Sequence, residues 1–223
     1  MIGRLIARFR APHLPKGHIF ISGTGRAGTT YLIQLFSELG FDTGNWSDAD
    51  YFPQARAGLE RQIFDTKIPK VAKTPFLCDN VDEALAAGIQ IGHVIIPIRK
   101  ISDAAASRIH VQLETTGLKD GKTVSGGLWG TESAAHQADV LSRKLSNLIE
   151  SLVRHDIAMT LISFPRSAID AGYLFGKLSP IMPTISRSVF FNAFKRIAKP
   201  DMIHDFSDDK MPPPGKEQTI IDL

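Results

Sequence analysis

A short glycine-rich stretch near the N-terminus contains the residue types that bind phosphate groups. Glycines allow backbone N–H groups to point into a turn, and a helix that begins directly after the turn adds partial positive charge. The stretch also supplies three threonine hydroxyls and one guanidinium group. Its residues are Gly23, Thr24, Gly25, Arg26, Ala27, Gly28, Thr29 and Thr30. This composition predicts a loop that binds a phosphate or sulfate group.

The loop differs from the phosphate loop of nucleoside triphosphatases in one chemically important way. Gly23 and Gly28 have the outer spacing of that loop, in which Lys and Ser or Thr follow the second glycine. Here Thr29 and Thr30 follow it, so the lysine that would contact β- and γ-phosphates is absent, and Arg26 places a cation inside the loop. The pattern favours a terminal 5′-phosphate or sulfate over magnesium triphosphate. The alternative is a purely structural glycine turn in which a threonine caps the helix.

A second pair of anion-binding residue types lies further along the chain. Arg99 follows the apolar run 91–98, and Ser107 comes eight residues later on the helix predicted to follow. An arginine fork together with a hydroxyl is well suited to a phosphate monoester. The alternative is a structural role, with Arg99 paired to a carboxylate and Ser107 on a solvated helix face.

Both motifs resemble those of sulfotransferases that use 3′-phosphoadenosine 5′-phosphosulfate (PAPS). The segment 23–32 is similar to the 5′-phosphosulfate loop of that family, and the segment 94–108, with Arg99 and Ser107, is similar to its 3′-phosphate site. The resemblance implies PAPS as co-substrate, held by residues 23–30 and by this pair, with no metal ion. Ala27 departs from the usual serine and removes one hydroxyl.

The resembling segments cover residues 18–178 and point to one part of the family. The C-terminal Arg-Lys-Gly loop of the cytosolic small-molecule sulfotransferases is absent from the sequence. The resemblance is therefore to bacterial and carbohydrate-type members. It implies a hydroxyl acceptor, with a sugar hydroxyl on a glycan or glycolipid preferred.

The resemblance also implies which side chains would take part in catalysis. Sulfuryl transfer is an in-line displacement in which positioning and charge stabilisation supply most of the catalysis. Arg26 would stabilise the developing charge, and so would Lys73, which lies in a Lys-Thr-Pro segment similar to one found between the two motifs in some members. Asp50 is predicted as the general base, because carbohydrate sulfotransferases often place a catalytic glutamate in this region. The alternatives for the base are Asp48, Glu60, His110 and His136.

Apolar runs that alternate with amphipathic segments predict the elements that position these residues. Strands are expected at 18–22, 41–43, 71–75, 91–98 and 158–164, and helices at 28–39, 54–64, 80–87, 102–110, 132–154, 168–178 and 188–197. This order predicts a three-layer α/β/α fold with a central parallel sheet, and the resemblance implies the sulfotransferase variant of the P-loop fold. Pro97 lacks a ladder donor, which predicts that the fourth strand frays before Arg99.

The composition is that of a globular protein. The chain has 223 residues, of which 43% are hydrophobic and 22% charged, which predicts one domain over residues 1–223, with a basic segment at 1–17 and an acidic, proline-containing tail at 200–223. A net charge of +3 is too small to indicate nucleic-acid binding. The single cysteine, Cys78, excludes an internal disulfide and favours a cytoplasmic compartment.

Residues 1–10 carry apolar side chains on one face and arginines elsewhere, so contact with a membrane surface is one interpretation and a basic tail or packing helix is the other. The sequence leaves the oligomeric state open.

Two other functions also stay open. One is a P-loop kinase that uses ATP and magnesium, although neither later strand ends in the aspartate expected for the metal. The other is a non-catalytic nucleotide-fold protein that binds a partner.

Overall fold

A computed structural model describes residues 14–52, 57–116, 124–200 and 203. Residues 1–10, for which membrane contact and a basic tail or packing helix are the two interpretations, and nearly all of the acidic tail lie outside the described residues. The strands are β1 (His18–Ile21), β2 (Tyr51–Phe52), β3 (Ala57–Gly58), β4 (Val71–Lys73), β5 (Ile91–Ile98) and β6 (Met159–Ser163). The helices are α1 (Thr29–Glu38), α2 (Leu77–Ala86), α3 (Ile101–Thr116), α4 (Gln137–Arg154), α5 (Arg166–Ile169), α6 (Ala171–Leu178) and α7 (Arg187–Ile197).

Four of the strands form a parallel sheet in the order β4-β1-β5-β6. Successive side chains of a strand point to opposite faces, so the apolar β1 contributes to two cores. Ile19 and Ile21 pack on one face with α1, α6 and α7, while Phe20 packs on the other face with α2 and α4. The predicted α/β class is therefore confirmed as a central parallel sheet flanked by helices, an arrangement compatible with three layers.

Two predicted elements near residue 50 were wrong. Residues 41–43 form no strand, although they lie beside the sheet, where Val71 donates its N–H to the carbonyl of Asp42 over 2.9 Å. Residues 57–64 form no helix, and β3 there pairs antiparallel with β2, while residues 54–56 of the predicted helix lie outside the described residues. Gly58 determines this outcome, because its φ of 113° is left-handed and a Cβ there would lie 2.2 Å from the carbonyl oxygen of Asp50.

The strand β5 continues through Pro97, which corrects the expectation that it frays. Along β5, the backbone groups of successive residues face β1 and β6 in turn. The Ile95 carbonyl accepts from the Ser22 N–H, directly after β1, and the Ile98 carbonyl accepts from the Phe164 N–H, directly after β6. Pro97 therefore faces β1, as Ile95 does. Because β1 pairs with β5 only as far as Ile95, the missing N–H of Pro97 falls where no strand partner is needed.

The remaining helices follow the predicted pattern with shifted ends. Asn80, the first residue of the helix predicted at 80–87, lies inside α2 at a kink, where its side-chain amide donates to the carbonyl of Phe76 over 2.7 Å. The helix α3 runs six residues beyond its predicted end. Among the described residues, no helix is long and apolar enough to cross a membrane.

The core between the sheet and α1 predicts a matched pair of stability effects. Phe36 is fully buried and packs edge-on against Phe41 at 5.2 Å between ring centroids, whereas Phe64 is 53% exposed. We expect Phe36→Ala to lower the free energy of unfolding by about 3–5 kcal/mol through lost burial and a cavity. Phe64→Ala should change it by no more than about 0.5 kcal/mol. Urea denaturation measures both, and equal losses would contradict this packing.

Candidate functional site

The predicted phosphate loop connects β1 to α1 through a series of left-handed residues. Gly23, Gly25 and Gly28 have φ values of 127°, 68° and 82°, and Arg26 has a φ of 53°. Gly28 is the N-cap residue directly before α1, and its carbonyl accepts the first helical hydrogen bond, from Leu32. Non-glycine residues rarely adopt this conformation, so the glycines are what allow the chain to turn so tightly.

The loop forms one side of a cleft of about 490 Å³. Arg26, Thr29 and Thr30 line it from the loop, and Arg99 and Ser107 line it from the end of β5 and from α3. The structure thus brings both predicted anion-binding motifs to one cavity. Gly23, Thr24 and Ala27 are buried and do not line the cleft, whereas Gly25 and Gly28 do.

The two motifs are joined by direct hydrogen bonds. Arg26 donates from Nε to Ser107 Oγ over 3.0 Å, and Arg99 donates from Nη1 to the carbonyl oxygen of Arg26 over 3.0 Å. Arg99 is 7% exposed and Ser107 is 2% exposed. A ligand that contacts the loop is therefore within reach of the second motif as well.

Lys73, at the end of β4, lies on the opposite side of the loop from Arg99. Its Nζ donates to Thr30 Oγ1 over 2.9 Å, to the Gly58 carbonyl over 2.6 Å and to Glu60 Oε1 over 3.1 Å. Burial lowers the pKa of Lys73, and the charge of Glu60 opposes that shift. Lys73 is thus held as an ion pair against a hydroxyl of the phosphate loop.

The structure separates Asp50 from these cations. The Asp50 carboxylate accepts hydrogen bonds from the backbone N–H and hydroxyl of Ser47, both over 2.8 Å, and these bonds lower its pKa. Asp50 does not line the cleft, whereas Glu60 does, with its side chain 33% exposed. Of the predicted bases, Glu60 is therefore the one that the fold brings to Lys73. The side chain of Asp48 lies outside the described residues, and His110 and His136 do not line the cleft.

Arg108 is a buried cation of the site that sequence reasoning missed. Its Nε and Nη2 donate to the Thr24 carbonyl over 3.2 and 2.7 Å, and its Nη1 donates to the Gly127 carbonyl over 2.7 Å. Burial lowers the pKa of Arg108 to about 10, so the guanidinium stays charged at neutral pH. Residue spacing alone gave no signal for Arg108. Neighbouring residues of a helix point in different directions, and the packing of α3 decides which of them face the loop.

Cys78 lies behind the loop and does not take part in its chemistry. The thiol donates to the Gly23 carbonyl over 3.6 Å and is 2% exposed. Burial raises the pKa of Cys78 to about 11, so it is a neutral thiol at neutral pH. Its role is to satisfy a buried carbonyl of the loop.

Positive charge dominates the described surface of the cleft. Its cationic side chains are Arg26, Lys73, Arg99, Arg108 and Lys199, and its one carboxylate is Glu60, already paired with Lys73. Within the described ranges, no group of three or more His, Cys, Asp or Glu side chains is placed to hold a metal ion. The chemistry that this cleft supports is the binding of a strongly anionic ligand.

Comparisons with known protein families, curated proteins and solved structures give no match.

The close packing of the loop predicts a difference between two glycines with the same backbone conformation. A Cβ at Gly28 would lie 3.0 Å from the Phe164 ring, whereas a Cβ at Gly40, with a φ of 83°, would meet nothing within 4 Å. Both alanine substitutions should lower the free energy of unfolding by about 1–2 kcal/mol, because alanine is strained in the left-handed conformation. We expect Gly28→Ala to lower the free energy of unfolding by a further ~1–3 kcal/mol, because the added Cβ overpacks against the Phe164 ring. Urea denaturation measures the difference, and equal losses would show that Phe164 does not pack against the loop.

Proposed function

We propose that this protein is a sulfotransferase that transfers the sulfuryl group of PAPS to a hydroxyl acceptor. The observation that carries the proposal is the pair of hydrogen bonds that joins Arg26 to Ser107 and Arg99 to the Arg26 carbonyl. Two motifs that are separate in sequence form one surface, which suits a ligand with an anionic group at each of two positions. PAPS has a phosphosulfate at its 5′ position and a phosphate at its 3′ position.

Each end of such a ligand finds a suitable partner. The loop 23–30 offers a helix N-terminus, two threonine hydroxyls and Arg26 to the 5′-phosphosulfate. Arg99 offers a guanidinium fork and Ser107 a hydroxyl to the 3′-phosphate. Ser107 Oγ already accepts from Arg26, so its own proton is available to an anion.

The charge of the cleft supports this ligand over magnesium triphosphate. Magnesium in nucleotide sites is held by carboxylates together with phosphate oxygens. The carboxylate on the described cleft surface, Glu60, is instead engaged by Lys73. Cationic side chains would therefore balance the ligand charge directly.

The arrangement of Lys73 and Glu60 suits the transfer step. Lys73 Nζ, 2.9 Å from Thr30 Oγ1, lies where it can stabilise charge on the transferring group. Glu60 is the carboxylate positioned to accept the proton of an acceptor hydroxyl, because Asp50 is bound to Ser47. Tyr51, Phe76 and Trp129 also line the cleft, and aromatic rings of this kind can pack on the apolar face of a sugar acceptor.

Ligand titration tests the cofactor assignment. In calorimetry, we expect adenosine 3′,5′-bisphosphate to bind about 10–100-fold more tightly than 5′-AMP, the ratio for one or two charge-assisted hydrogen bonds to the 3′-phosphate. Arg99→Ala should abolish most of that preference. Arg187→Ala, an exposed arginine on α7, serves as the matched control and should leave it unchanged. Binding of ATP–magnesium with no preference for a 3′-phosphate would instead assign the cleft to a kinase.

A pair of carboxylate variants tests the general base. We expect Glu60→Gln to lower the rate of bisphosphate formation from PAPS by about 10²–10⁴-fold, with an acceptor selected from a panel of glycosides. Asp50→Asn keeps an oxygen that can accept from Ser47 and should stay within about two-fold of the unmodified protein. The reverse ranking would place the base at Asp50.

A further inference from the structure

The guanidinium of Arg108 connects two parts of the cleft that are distant in sequence. Two of its nitrogens donate to the Thr24 carbonyl in the phosphate loop, and the third donates to the Gly127 carbonyl. The nitrogen Nη2 also lies close to Gly25, where a Cβ would come within 2.5 Å of it. Because a guanidinium is planar and rigid, its three bonds fix the distance between the loop and residue 127.

Residue 127 belongs to a segment, here called the 124–129 wall, that forms one side of the cleft. Val124, Ser125, Gly126, Leu128 and Trp129 all line the cavity. Within the wall, the Gly127 N–H donates to the Val124 carbonyl over 2.9 Å in a turn, and the wall belongs to no helix or strand. Side chains from α3 and α4 also hold it from outside.

Three buried side chains hold the wall. Arg108 binds its Gly127 carbonyl, Gln112 Oε1 accepts from the Leu128 N–H over 3.2 Å, and Gln137 bonds both the N–H and the carbonyl of Trp129. These hydrogen bonds of the two glutamines are to the wall, whereas Arg108 also binds the Thr24 carbonyl of the loop 23–30.

The charge of Arg108 distinguishes it from a neutral brace. Arg108 is 6% exposed, and no carboxylate of the described residues lies within 4.0 Å of it. The charge of Glu60 raises the pKa of Arg108, but burial outweighs it and lowers the pKa overall. The buried charge therefore carries a cost, and glutamine could supply hydrogen bonds to carbonyls without that cost. The charge of Arg108 lies beside Gly25 and lines the cleft. An anion that occupies the loop would therefore balance this charge.

We propose that Arg108 is a positioning residue that couples occupation of the phosphate loop to the position of the 124–129 wall. An anion bound in the loop fixes Thr24 and Gly25, Arg108 transmits that constraint to Gly127, and the wall is ordered before an acceptor enters the cleft. The identity of the nucleotide rests on the proposed function, but the coupling does not, since any anion that occupies the loop engages the same contacts.

Trp129 provides the readout, because it belongs to the wall and contacts Arg108 at 5.0 Å from guanidinium carbon to ring centroid. The chain has two tryptophans, so a Trp46→Phe background leaves Trp129 as the single reporter. We expect saturating adenosine 3′,5′-bisphosphate to lower acrylamide quenching of Trp129 fluorescence about two-fold. Arg143→Gln, an exposed arginine on α4, is the matched control and should respond in the same way.

In Arg108→Gln, the bisphosphate should still bind, within about ten-fold of the original affinity, because Arg26, Arg99 and Ser107 remain. Its effect on Trp129 quenching should be lost, and Arg108→Lys should not restore it, since one ammonium group is a poor substitute for a fork across two carbonyls. A simple loss of folding would abolish binding as well. An equal quenching change in Arg108→Gln, or none in the Trp46→Phe protein at saturation, would overturn the proposal.

A second measurement avoids the variants altogether. In the unmodified chain, the bisphosphate should slow amide hydrogen exchange at Leu128 and Trp129, and unchanged exchange at saturation would contradict the coupling. If ATP–magnesium binds and the bisphosphate does not, the proposed function is wrong, and the same quenching and exchange measurements with ATP then decide the coupling. If neither nucleotide binds, the proposed function is wrong, and the same exchange measurement with inorganic sulfate decides the coupling: unchanged exchange at Leu128 and Trp129 overturns it.

Discussion

The burial of positive charge around one loop is the constraint on which this structure depends. Arg99, Arg108 and Lys73 are each less than a tenth exposed, and an isolated buried ion costs several kcal/mol, roughly. The protein offsets this cost with backbone carbonyls: those of Thr24 and Arg26 in the loop, and those of Gly58 and Gly127 beside it. The C=O and N–H groups of a trans peptide point in opposite directions. The peptide groups of the loop whose carbonyls face these cations therefore direct their N–H groups away from the cations.

The parallel sheet explains how these cations meet. In open α/β sheets, ligands bind beyond the carboxyl ends of the strands. The strand β1 lies between β4 and β5, so the predicted phosphate loop that follows β1 is flanked by Lys73 at the end of β4 and by Arg99 directly after β5. The left-handed glycines let the chain turn within this space, and α3 then carries Ser107 and Arg108 back toward the loop. Fold and charge thus support one anion-binding cleft.

The sequence predicted those parts of the site that depend on local pattern. The loop 23–30, Arg99 and Ser107 were predicted from residue type and spacing, and the structure brings residues of both motifs to one cleft, because the strand that precedes each motif places it at the sheet edge. Glu60, and not Asp50, lies beside Lys73, and this depends on the pairing of β3 with β2 at Gly58, where a helix was predicted. Arg108 and the 124–129 wall depend on tertiary contacts between α3, α4 and a loop, and no local pattern signals contacts of that kind.

The most direct test of the central claim is a crystal structure of the protein soaked with adenosine 3′,5′-bisphosphate. We expect the 5′-phosphate to lie against the backbone N–H groups of the loop 23–30 and the 3′-phosphate to contact Arg99 and Ser107. A bisphosphate bound in the reverse orientation, or away from Arg99, would contradict the assignment of the two anion sites. An empty cleft at ligand concentrations that saturate PAPS-dependent enzymes would contradict the proposed function itself.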